Sequence, residues 1–360
     1  MRILLMSHAA GRYGAERVLM ALARGLAERG HDVVLELPHE GPALDRVPEQ
    51  VTVRVGTRRP LPRNAREAVG WLATAGTSVR EARRTINEID ADLIWINSLY
   101  HPWGAIAARL SRRPVVWHLH EYPLPEPMGL ATAALVGAVA TRVAAISEFV
   151  ADGWSRYPWL RRRIDRIPNP LLDDKPTVDP PSGPFTVGYI GQLEPRKRAT
   201  DVVRAVARLT DVHGVIVGDG KDRPATEAVI RDVRAADRIR LVGFTPDVAA
   251  EMAHFHCVAI PSLREPFGLV ALEAMAAGLP VVAARSGALP EVLGPAALYH
   301  DPGDPDDLAD QIRTIKADPV LRQQLIQTGR RRVRTYRRGP WLDRAEAIAR
   351  AAVNRTGGTK

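Results

Sequence analysis

Two glutamates eight positions apart, Glu265 and Glu273, are the residues whose type and spacing point most directly to chemistry. The first follows a short apolar strand, and the second lies in an alanine-rich helix predicted to begin near Gly268. The Pro-Phe-Gly turn between them leaves backbone N–H groups free at a helix N-terminus, where an anion can bind. Together these features predict a grip for a nucleotide diphosphate sugar. The alternative is a loop glutamate and a helix glutamate that both face solvent.

A second loop supplies positive charge. Gly191 follows a predicted strand, and Arg196, Lys197 and Arg198 come shortly before the next predicted helix. Fixed cations stabilise the negative charge that develops on a leaving diphosphate, so this loop is the expected partner of the glutamate pair. The alternative is a surface turn with ordinary arginines.

The first half of the chain has a comparable loop, from His8 to Glu16, with glycines at positions 11 and 14. It is not a dinucleotide fingerprint, but the start of its helix can offer N–H groups to a phosphate. Further along, His118 and His120 end an apolar strand, and one of them is expected to reach a sugar hydroxyl or a phosphate. A structural histidine and a metal ligand are the alternatives. No third ligand converges in sequence, so no metal is predicted.

Bulk composition excludes several classes of protein. The 360 residues are enough for two domains, and 46% hydrophobic with 25% charged residues is typical of a soluble globular protein. The most apolar stretch, Leu130 to Ala145, is too short to span a bilayer, and the start of the chain does not resemble a signal peptide. The single cysteine, Cys257, excludes a disulfide framework and is consistent with a reducing cytoplasm.

The net charge of +9 is divided almost evenly between the two halves of the chain. Arginine clusters such as Arg161–Arg163 and Arg330–Arg332 are either solvated helix faces or points of peripheral contact with an anionic membrane. Nucleic-acid binding is not predicted, because no aromatic residues interleave with the basic ones and no known motif is present.

Apolar runs alternate with amphipathic stretches in both halves, which predicts two doubly wound, Rossmann-like α/β domains facing across a cleft. We expect a first domain over residues 1–175, a proline-rich linker over 176–184 and a second domain over 185–340. A final helix over 341–358 is expected to pack back on the first domain. The predicted strands are 2–7, 31–37, 51–55, 93–96, 115–117, 143–146, 185–190, 214–217, 239–242, 258–260 and 281–283.

With these motifs in this order, the chain resembles the GT-B glycosyltransferases of family four, the retaining "glycosyl transferases group 1" type. The run from Glu265 to Val282 is highly specific to that family and contains its pair of glutamates separated by seven residues. Gly191 to Lys197 matches the family's glycine loop that ends in lysine. Weaker matches follow the family's order, at Gly14–Glu16, Ile146–Glu148, Pro168–Asn169, Gly218–Gly220, Val242–Phe244 and Gly287–Glu291.

The resemblance implies roles for particular residues. It implies that His120 lies near the reacting centre, that Lys197 binds the diphosphate and that Glu265 contacts the donor sugar. It also implies that Glu273 binds the ribose. The other expected donor-binding residues lie in the donor loops or at the start of the first helix, and they are Gly14, Gln192, Arg196, Phe267, Gly268, Leu269 and Val270.

Two residues depart from the family pattern. Gln192 stands where the family has a diphosphate-binding arginine, and Tyr13 replaces the first glycine of the N-terminal loop. Glutamine can donate a hydrogen bond but brings no charge. Arg196 or Arg198 is expected to compensate from the same loop.

The resemblance therefore implies a retaining glycosyltransferase that moves a sugar from a UDP- or GDP-linked donor to a hydroxyl of a glycan, lipid-linked or small-molecule acceptor. It implies no cofactor and no obligatory metal. The acceptor is expected on the first domain near residues 56–84 and 100–128, and the enzyme is expected in the cytoplasm, with possible contact at the inner membrane face. The alternatives are a non-catalytic nucleotide-sugar binding protein, a nucleotide-sugar epimerase on the same fold, and a basic scaffold for anionic polymers.

Overall fold

The computed structural model describes residues 1–56, 65–172 and 181–357. The chain divides into two compact units. The first comprises Met1–Leu172 together with the chain from Arg338 onward, and the second ends at Arg337. Residues 176–180 of the predicted linker and 57–64 of the predicted acceptor region lie outside the described residues.

The first unit is built on a seven-stranded sheet in the order β3-β2-β1-β4-β5-β6-β7, in which every neighbouring pair is parallel. The central strands β4 and β5 are buried at every position, because helices cover both faces of such a sheet. Its strands are β1 (Arg2–Met6), β2 (Asp32–Leu37), β3 (Thr52–Val55), β4 (Leu93–Asn97), β5 (Val115–Leu119), β6 (Arg142–Ala145) and β7 (Ile164–Arg166).

The helices of this unit connect the parallel strands. Helix α1 places its apolar stripe on the sheet, with Val18, Leu19, Leu22 and Leu26 fully buried. Ser147 caps the last of them by accepting a hydrogen bond from the Val150 N–H at 3.1 Å. The helices are α1 (Gly14–Glu28), α2 (Ala65–Ala73), α3 (Ala75–Ile89), α4 (Pro102–Leu110), α5 (Met128–Val139) and α6 (Glu148–Ser155).

The second unit repeats the same plan with six parallel strands in the order β10-β9-β8-β11-β12-β13. In both units the chain reverses its direction of travel across the sheet after three strands, between β1 and β4 and between β8 and β11. Ligands of such folds bind at the carboxyl ends of the strands that flank this switch point. The strands are β8 (Phe185–Ile190), β9 (Val212–Val217), β10 (Ile239–Gly243), β11 (Cys257–Ile260), β12 (Val281–Ala284) and β13 (Ala297–His300).

Several helices of the second unit pack on its sheet through an apolar core. Val202, Val206, Leu308 and Ile312 are fully buried and pack from two of these helices onto the strands. Among the helices described between residues 181 and 337, α9, α12 and α13 begin at an aspartate whose side chain accepts from a first-turn N–H. The helices are α7 (Ala199–Ala207), α8 (Arg223–Asp232), α9 (Val248–Met252), α10 (Leu269–Ala277), α11 (Leu289–Leu293), α12 (Pro305–Ala317) and α13 (Pro319–Val333).

The last helix, α14 (Arg338–Gly357), belongs to the first unit and lies against α1. Gly25 permits the close approach, since a Cβ there would lie 2.3 Å from the Leu342 Cδ2. Charged groups flank this contact. Arg29 reaches Glu346 at 3.0 Å, and Arg350 reaches the same carboxylate at 2.6 Å.

The predicted α/β fold class is confirmed, and every predicted strand lies within two residues of its expected bounds. The sequence did not reveal β7 and β13. Residues 164–166 are a three-residue edge strand without an apolar run, and β13 carries two half-buried positions. Edge strands bury one side only, so they leave a weak hydropathy pattern.

The carboxylate of Glu346 gives a pH-dependent prediction. Hydrogen bonds from Arg350, then from Arg29 and His31, lower the pKa of Glu346 to about 2 against the opposing effect of burial. Because the pKa of Glu346 is lower in the folded state, its charge stabilises the fold at any pH above the ordinary glutamate pKa. This contribution is lost as the pH falls towards 2. We expect Glu346→Gln to lower the stability of the first unit at pH 7 by about 1 kcal/mol. Thermal unfolding between pH 7 and pH 2.5 measures this loss.

The difference in stability between Glu346→Gln and the native protein should shrink below the ordinary glutamate pKa. It should be smallest at pH 2.5, where part of it remains because the pKa of Glu346 is about 2. Glu49→Gln, at an exposed position of the same unit, is the matched control and should change little at any pH. A deficit in Glu346→Gln that stays constant with pH would show that packing, rather than the charge, accounts for it.

Candidate active site

The loop that follows β8 is fixed in place by backbone hydrogen bonds. The Gly191 N–H donates to the Val217 carbonyl at 3.0 Å, and the Leu193 N–H donates to the Asp219 carbonyl at 2.9 Å. Leu193 is fully buried in the core, and a short 3-10 helix, Pro195–Lys197, then leads towards α7. The predicted cationic loop is therefore held rigidly at the carboxyl end of a central strand.

Two glycines allow a neighbouring loop to pack directly against this backbone. A Cβ at Gly218 would lie 1.8 Å from the Gly191 carbonyl oxygen, and one at Gly220 would lie 2.4 Å from the Leu193 carbonyl oxygen. Both glycines also have positive φ angles, 137° and 156°. This packing explains why Gly218 and Gly220, predicted only as weak family matches, must be glycine.

The loop that follows β11 meets the first loop at the switch point. The Leu263 N–H donates to the Arg196 carbonyl at 2.8 Å, so the two backbones are joined. The Lys197 Nζ lies 2.7 Å from the Glu265 Oε2, and a guanidinium nitrogen of Arg196 lies 3.7 Å from the same oxygen. The structure therefore brings together three of the residues expected to form the donor site.

Glu265 is only 6% exposed, yet it is held as a carboxylate. Burial by itself would raise the pKa of Glu265, but the nearby charge of Lys197, its hydrogen bond, and the charge of Arg196 outweigh that effect and lower the pKa. A hydrogen bond from Ser262 acts in the same direction. Near pH 7 the site therefore holds a buried negative charge directly beside two cations.

Helix α10 begins where the sequence predicted. Gly268 is its N-cap at φ 93°, in the left-handed region, and Leu269 is the first helical residue. The first turn of an α-helix has N–H groups without intrahelical partners, so this end can hold an anion. Phe267 is 2% exposed and packs its ring against that of Tyr336, with centroids 5.9 Å apart. Glu273 lies half-buried on the second turn of the helix.

The two candidates for replacing the arginine missing at position 192 have different surroundings. Arg198 donates two hydrogen bonds to the fully buried carboxylate of Asp201, at 2.7 and 2.8 Å, so its guanidinium stabilises the start of α7. The Arg196 side chain is 42% exposed and lies beside Glu265. Gln192 is half-buried, and its carbonyl accepts a hydrogen bond from the Tyr189 hydroxyl at 2.9 Å. Arg196 is thus the better-placed cation for a phosphate.

In the first unit, the N-terminal loop places two ionisable side chains, those of His8 and Glu16, largely out of contact with solvent. Gly14 is the first residue of α1, and Glu16 in the same turn is 3% exposed. The His8 Nε2 lies 3.6 Å from the Glu16 Oε1. Burial lowers the pKa of His8 to about 4 and raises that of Glu16. His8 is therefore uncharged near pH 7, while Glu16 is more easily protonated than an ordinary glutamate.

The predicted histidine, His120, is 7% exposed at the end of β5, and its Nε2 lies 2.9 Å from the Asn97 Oδ1. The Asn97 Nδ2 donates to the Ala15 carbonyl at 3.3 Å. Because a carbonyl can only accept, the asparagine oxygen must face the histidine, and His120 must carry its proton on Nε2. Asn97 therefore fixes the tautomer of His120. Sequence reasoning did not identify Asn97, since a single asparagine at the end of a strand carries no motif.

The other histidine of the pair, His118, points into the core. It is fully buried in β5, and its ring centroid lies 4.3 Å from that of His120. Within the described part of the chain neither of its ring nitrogens has a hydrogen-bond partner. Burial, then the neighbouring rings of His118 and His8, keep the pKa of His120 well below its usual range. His120 is consequently a neutral ring whose Nδ1 is an acceptor.

Glu121, which follows the predicted histidine, anchors the loop. One carboxylate oxygen is hydrogen-bonded to the Ser98 hydroxyl, and the other accepts from the Leu99 N–H at 3.0 Å and the His120 N–H at 3.2 Å. Burial is the largest influence on Glu121 and raises its pKa, although these hydrogen bonds oppose the effect. The carboxylate therefore joins the ends of β4 and β5.

The described ranges contain neither a metal-binding cluster nor a membrane-spanning helix. No group of three or more histidine, cysteine or acidic side chains there could hold a metal ion. Nor does any helix of those ranges combine the length and hydropathy needed to cross a membrane.

Two family models match the chain in succession. The model described as "Glycosyltransferase Family 4" matches residues 13–174, and the one described as "Glycosyl transferases group 1" matches residues 173–332. Among curated relatives, a 2-deoxystreptamine glucosyltransferase from Streptomyces kanamyceticus is 29% identical over 87% of this chain and 92% of its own length. A 2-deoxystreptamine N-acetyl-D-glucosaminyltransferase from Streptomyces fradiae is 30% identical over 78% of this chain and 76% of its own length.

Solved structures share the fold. HepE from Anabaena, in complex with UDP-glucose, superposes with a TM-score of 0.82 at 24% identity, covering 97% of this chain and all of the other. The sucrose-phosphate synthase of Thermosynechococcus elongatus gives a TM-score of 0.84 at 22% identity, covering 97% of this chain and 98% of the other. Two Rossmann-like sheets of this kind define the GT-B class of glycosyltransferase enzymes. The chain belongs to family four of those enzymes, the group 1 type.

The link between Asn97 and His120 leads to a second prediction. In Asn97→Asp the histidine gains a negatively charged neighbour, which favours the imidazolium. We expect the pKa of His120 to rise by roughly 1 to 3 pH units in this variant. NMR titration of ¹⁵N-labelled histidine measures both the pKa and the tautomer, and in the native protein the ring should show the Nε2–H form.

Asn87→Asp, an exposed change on α3, is the matched control and should leave His120 untouched. A native ring protonated on Nδ1, or an unchanged titration in Asn97→Asp, would contradict the assignment of Asn97 as the residue that fixes the tautomer.

Proposed function

We propose that this glycosyltransferase takes its sugar from a UDP- or GDP-linked donor and transfers it with retention at the anomeric carbon. The observation that carries the proposal is the 2.7 Å pair of Lys197 and Glu265 at the switch point between β8 and β11. A cation for the diphosphate and a carboxylate for sugar hydroxyls are the two groups that a nucleotide-sugar donor requires. The complexes of Anabaena HepE with UDP and with UDP-glucose support a donor of this kind.

The proposed donor contacts divide between the two loops of the second unit. Lys197 and the exposed Arg196 neutralise the diphosphate, together with the backbone N–H groups at Phe267, Gly268 and the start of α10. Leu269 and Val270 provide those first-turn N–H groups. Gln192 donates one neutral hydrogen bond where the family has an arginine. Glu273, one turn deeper in α10, binds the ribose hydroxyls.

Charge stabilisation is the proposed source of catalysis. As the bond between the anomeric carbon and the diphosphate breaks, negative charge grows on the leaving oxygen beside Lys197 and Arg196. Fixed cations already meet that demand, so we propose that turnover needs no metal and no cofactor. His120 is a neutral ring with an acceptor Nδ1, which suits a hydrogen bond from a sugar hydroxyl. Gly14 is proposed as a further donor contact through its backbone.

We propose that the acceptor, which presents a hydroxyl, binds to the first unit. Tyr100 is 38% exposed and Tyr13 is 56% exposed, and both lie on loops at the carboxyl edge of the sheet. Aromatic faces of this kind bind the apolar faces of sugars. The relatives act on different acceptors by their names, from 2-deoxystreptamine to glycogen, so a glycan, a lipid-linked glycan and a small molecule all fit this proposal.

The donor proposal is tested with a panel of nucleotide sugars, by thermal shift and by release of nucleoside diphosphate. We expect Glu273→Ala to weaken donor binding, because the ribose loses its carboxylate partner. Lys197→Ala should lower turnover by about 100-fold, as expected for a deleted transition-state donor. Lys316→Ala, which removes a lysine on α12 that pairs with Asp211, is the control and should behave as the native protein.

If no nucleotide sugar of the panel raises the unfolding temperature of the protein, the donor proposal is wrong. Normal turnover in both site variants would show that the residues are wrongly assigned. Donor binding without turnover, across the whole acceptor panel, would favour a protein that binds nucleotide sugars without catalysis. A changed sugar configuration without transfer would favour an epimerase.

We also propose peripheral contact of the first unit with an anionic membrane at the cytoplasmic face. Helix α5 contains no charged residue, and its Met128 and Leu130 are 58% and 51% exposed. Trp159 is 44% exposed beside it and donates to the Ala133 carbonyl at 3.0 Å. Arg161 and Arg162 follow at exposed positions. An exposed apolar helix with tryptophan and arginine at its border suits the interface of a bilayer.

Co-sedimentation with vesicles tests this contact. The protein should bind phosphatidylglycerol vesicles more strongly than phosphatidylcholine vesicles, and salt should weaken the binding. Leu130→Glu and Arg161→Glu should each reduce it. Val320→Glu, at a 66% exposed position on α13, is the control. Equal binding to both vesicle types by all variants would contradict the proposal.

A further inference from the structure

The carboxylate of Glu265 is held in one place by the turn behind it. The Ala288 N–H donates to the Glu265 carbonyl at 2.8 Å. Gly287 has a φ of 61°, and a Cβ at that position would lie 2.3 Å from the Glu265 carbonyl oxygen and 2.5 Å from its nitrogen. With its backbone fixed and its side chain buried, Glu265 cannot withdraw from the donor loops.

The backbone that carries the two cations opposite is also held by hydrogen bonds. The Lys197 N–H donates to the Glu194 carbonyl at 2.8 Å, and the preceding carbonyl, that of Arg196, accepts from Leu263 at 2.8 Å. The Lys197 side chain is 21% exposed, so the protein shields the pair from most of the solvent. The charge of Lys197 is therefore neutralised by Glu265 at 2.7 Å.

A bound diphosphate and Glu265 make opposing demands on this lysine. Both are anions, and a lysine ammonium divided between two anions stabilises each less than it would stabilise one alone. Two fixed anions beside each other also repel where water is largely excluded. The ion pair must therefore weaken whenever a diphosphate is held by Lys197.

We propose that Glu265 makes the site discriminate between the nucleotide-sugar donor and the nucleoside diphosphate product, by competing with the diphosphate for Lys197. When the donor is bound, sugar hydroxyls donate to the oxygens of Glu265 and leave Lys197 to the diphosphate. After transfer no sugar hydroxyl donates to Glu265, so its carboxylate pairs fully with Lys197 and weakens the binding of the diphosphate product. The residue thus favours donor over product and promotes product release.

This inference rests on the proposed function, since it takes the donor to be a nucleotide diphosphate sugar held at Lys197. The competition adds one consequence that the proposed function lacks, which concerns the binding of a nucleoside diphosphate without a sugar. If Glu265 only contacted the sugar, removing its charge would not change the affinity for a nucleotide without a sugar. If Glu265 only supported the fold, removing its charge would lower the stability of the protein and nothing else. A competing glutamate must weaken the binding of the free diphosphate.

The test is the affinity for UDP and GDP, measured by calorimetry with the full-length chain. Glu265→Gln keeps the size of the side chain and removes its charge. We expect this variant to bind the diphosphate at least about tenfold more tightly than the native protein, because a neighbouring anion has been removed. Its turnover should show stronger inhibition by added UDP or GDP.

Glu194→Gln removes a carboxylate from the same loop and is the matched control, with unchanged affinity expected. Lys197→Met should weaken diphosphate binding, and in Lys197→Met/Glu265→Gln the gain from the glutamine should be smaller than in the single variant. If Glu265→Gln does not fold, as judged by its thermal transition, Glu265→Ala is used in its place, because it removes the same charge.

Equal or weaker diphosphate binding in folded Glu265→Gln, with native protein that binds UDP or GDP, would overturn the competition and leave the proposed function intact. An equal gain with and without Lys197 would show that Glu265 acts by repulsion alone and would overturn the role of the lysine. Native protein that binds neither diphosphate would overturn the proposed donor itself.

Discussion

The buried carboxylate of Glu265 is the constraint around which the donor loops are arranged. A buried charge is costly unless it is paired and hydrogen-bonded, and the cost of leaving it alone is several kcal/mol. Lys197, Arg196 and Ser262 meet that requirement from the ends of β8 and β11. Lys197 and Glu265 are 68 residues apart in sequence, so their ion pair connects two loops from distant parts of the chain.

Fixing the loops in turn demands close backbone approach. Gly218, Gly220 and Gly287 all occupy positions where a Cβ would collide with the backbone of a donor loop. Glycine is needed at all three positions because a Cβ has no space there, and the positive φ angles add to this requirement. These three glycines therefore let neighbouring loops pack directly on the backbone of the two donor loops.

The first unit also compensates polar side chains at the ends of its central strands, but it does so with different groups. Asn97 and His120 are buried and Glu121 is half-buried at the ends of β4 and β5. His120 bonds to Asn97 through its ring and to the Glu121 carboxylate through its backbone N–H. The histidine there is uncharged, because burial and the neighbouring histidines lower its pKa, and burial raises the pKa of Glu121. The two units therefore share one strand order but offer different chemistry, with paired charges in the second unit and a neutral hydrogen-bonding ring in the first.

The sequence by itself determined the fold class, the central strands and the start of α10 at Gly268, because fully buried parallel strands and a glycine turn leave strong local patterns. It also identified Lys197 and Glu265 as partners in one site, through motif order. Only the tertiary structure decided which of the two arginines lies beside Glu265. Arg198 is held by the buried Asp201, while Arg196 lies beside Glu265. The tautomer of His120 was decided in the same way, since it depends on Asn97, 23 residues away and one strand across. Local pattern sets elements and candidate groups, whereas the charge state and the partner of a buried group depend on neighbours that come from distant parts of the chain.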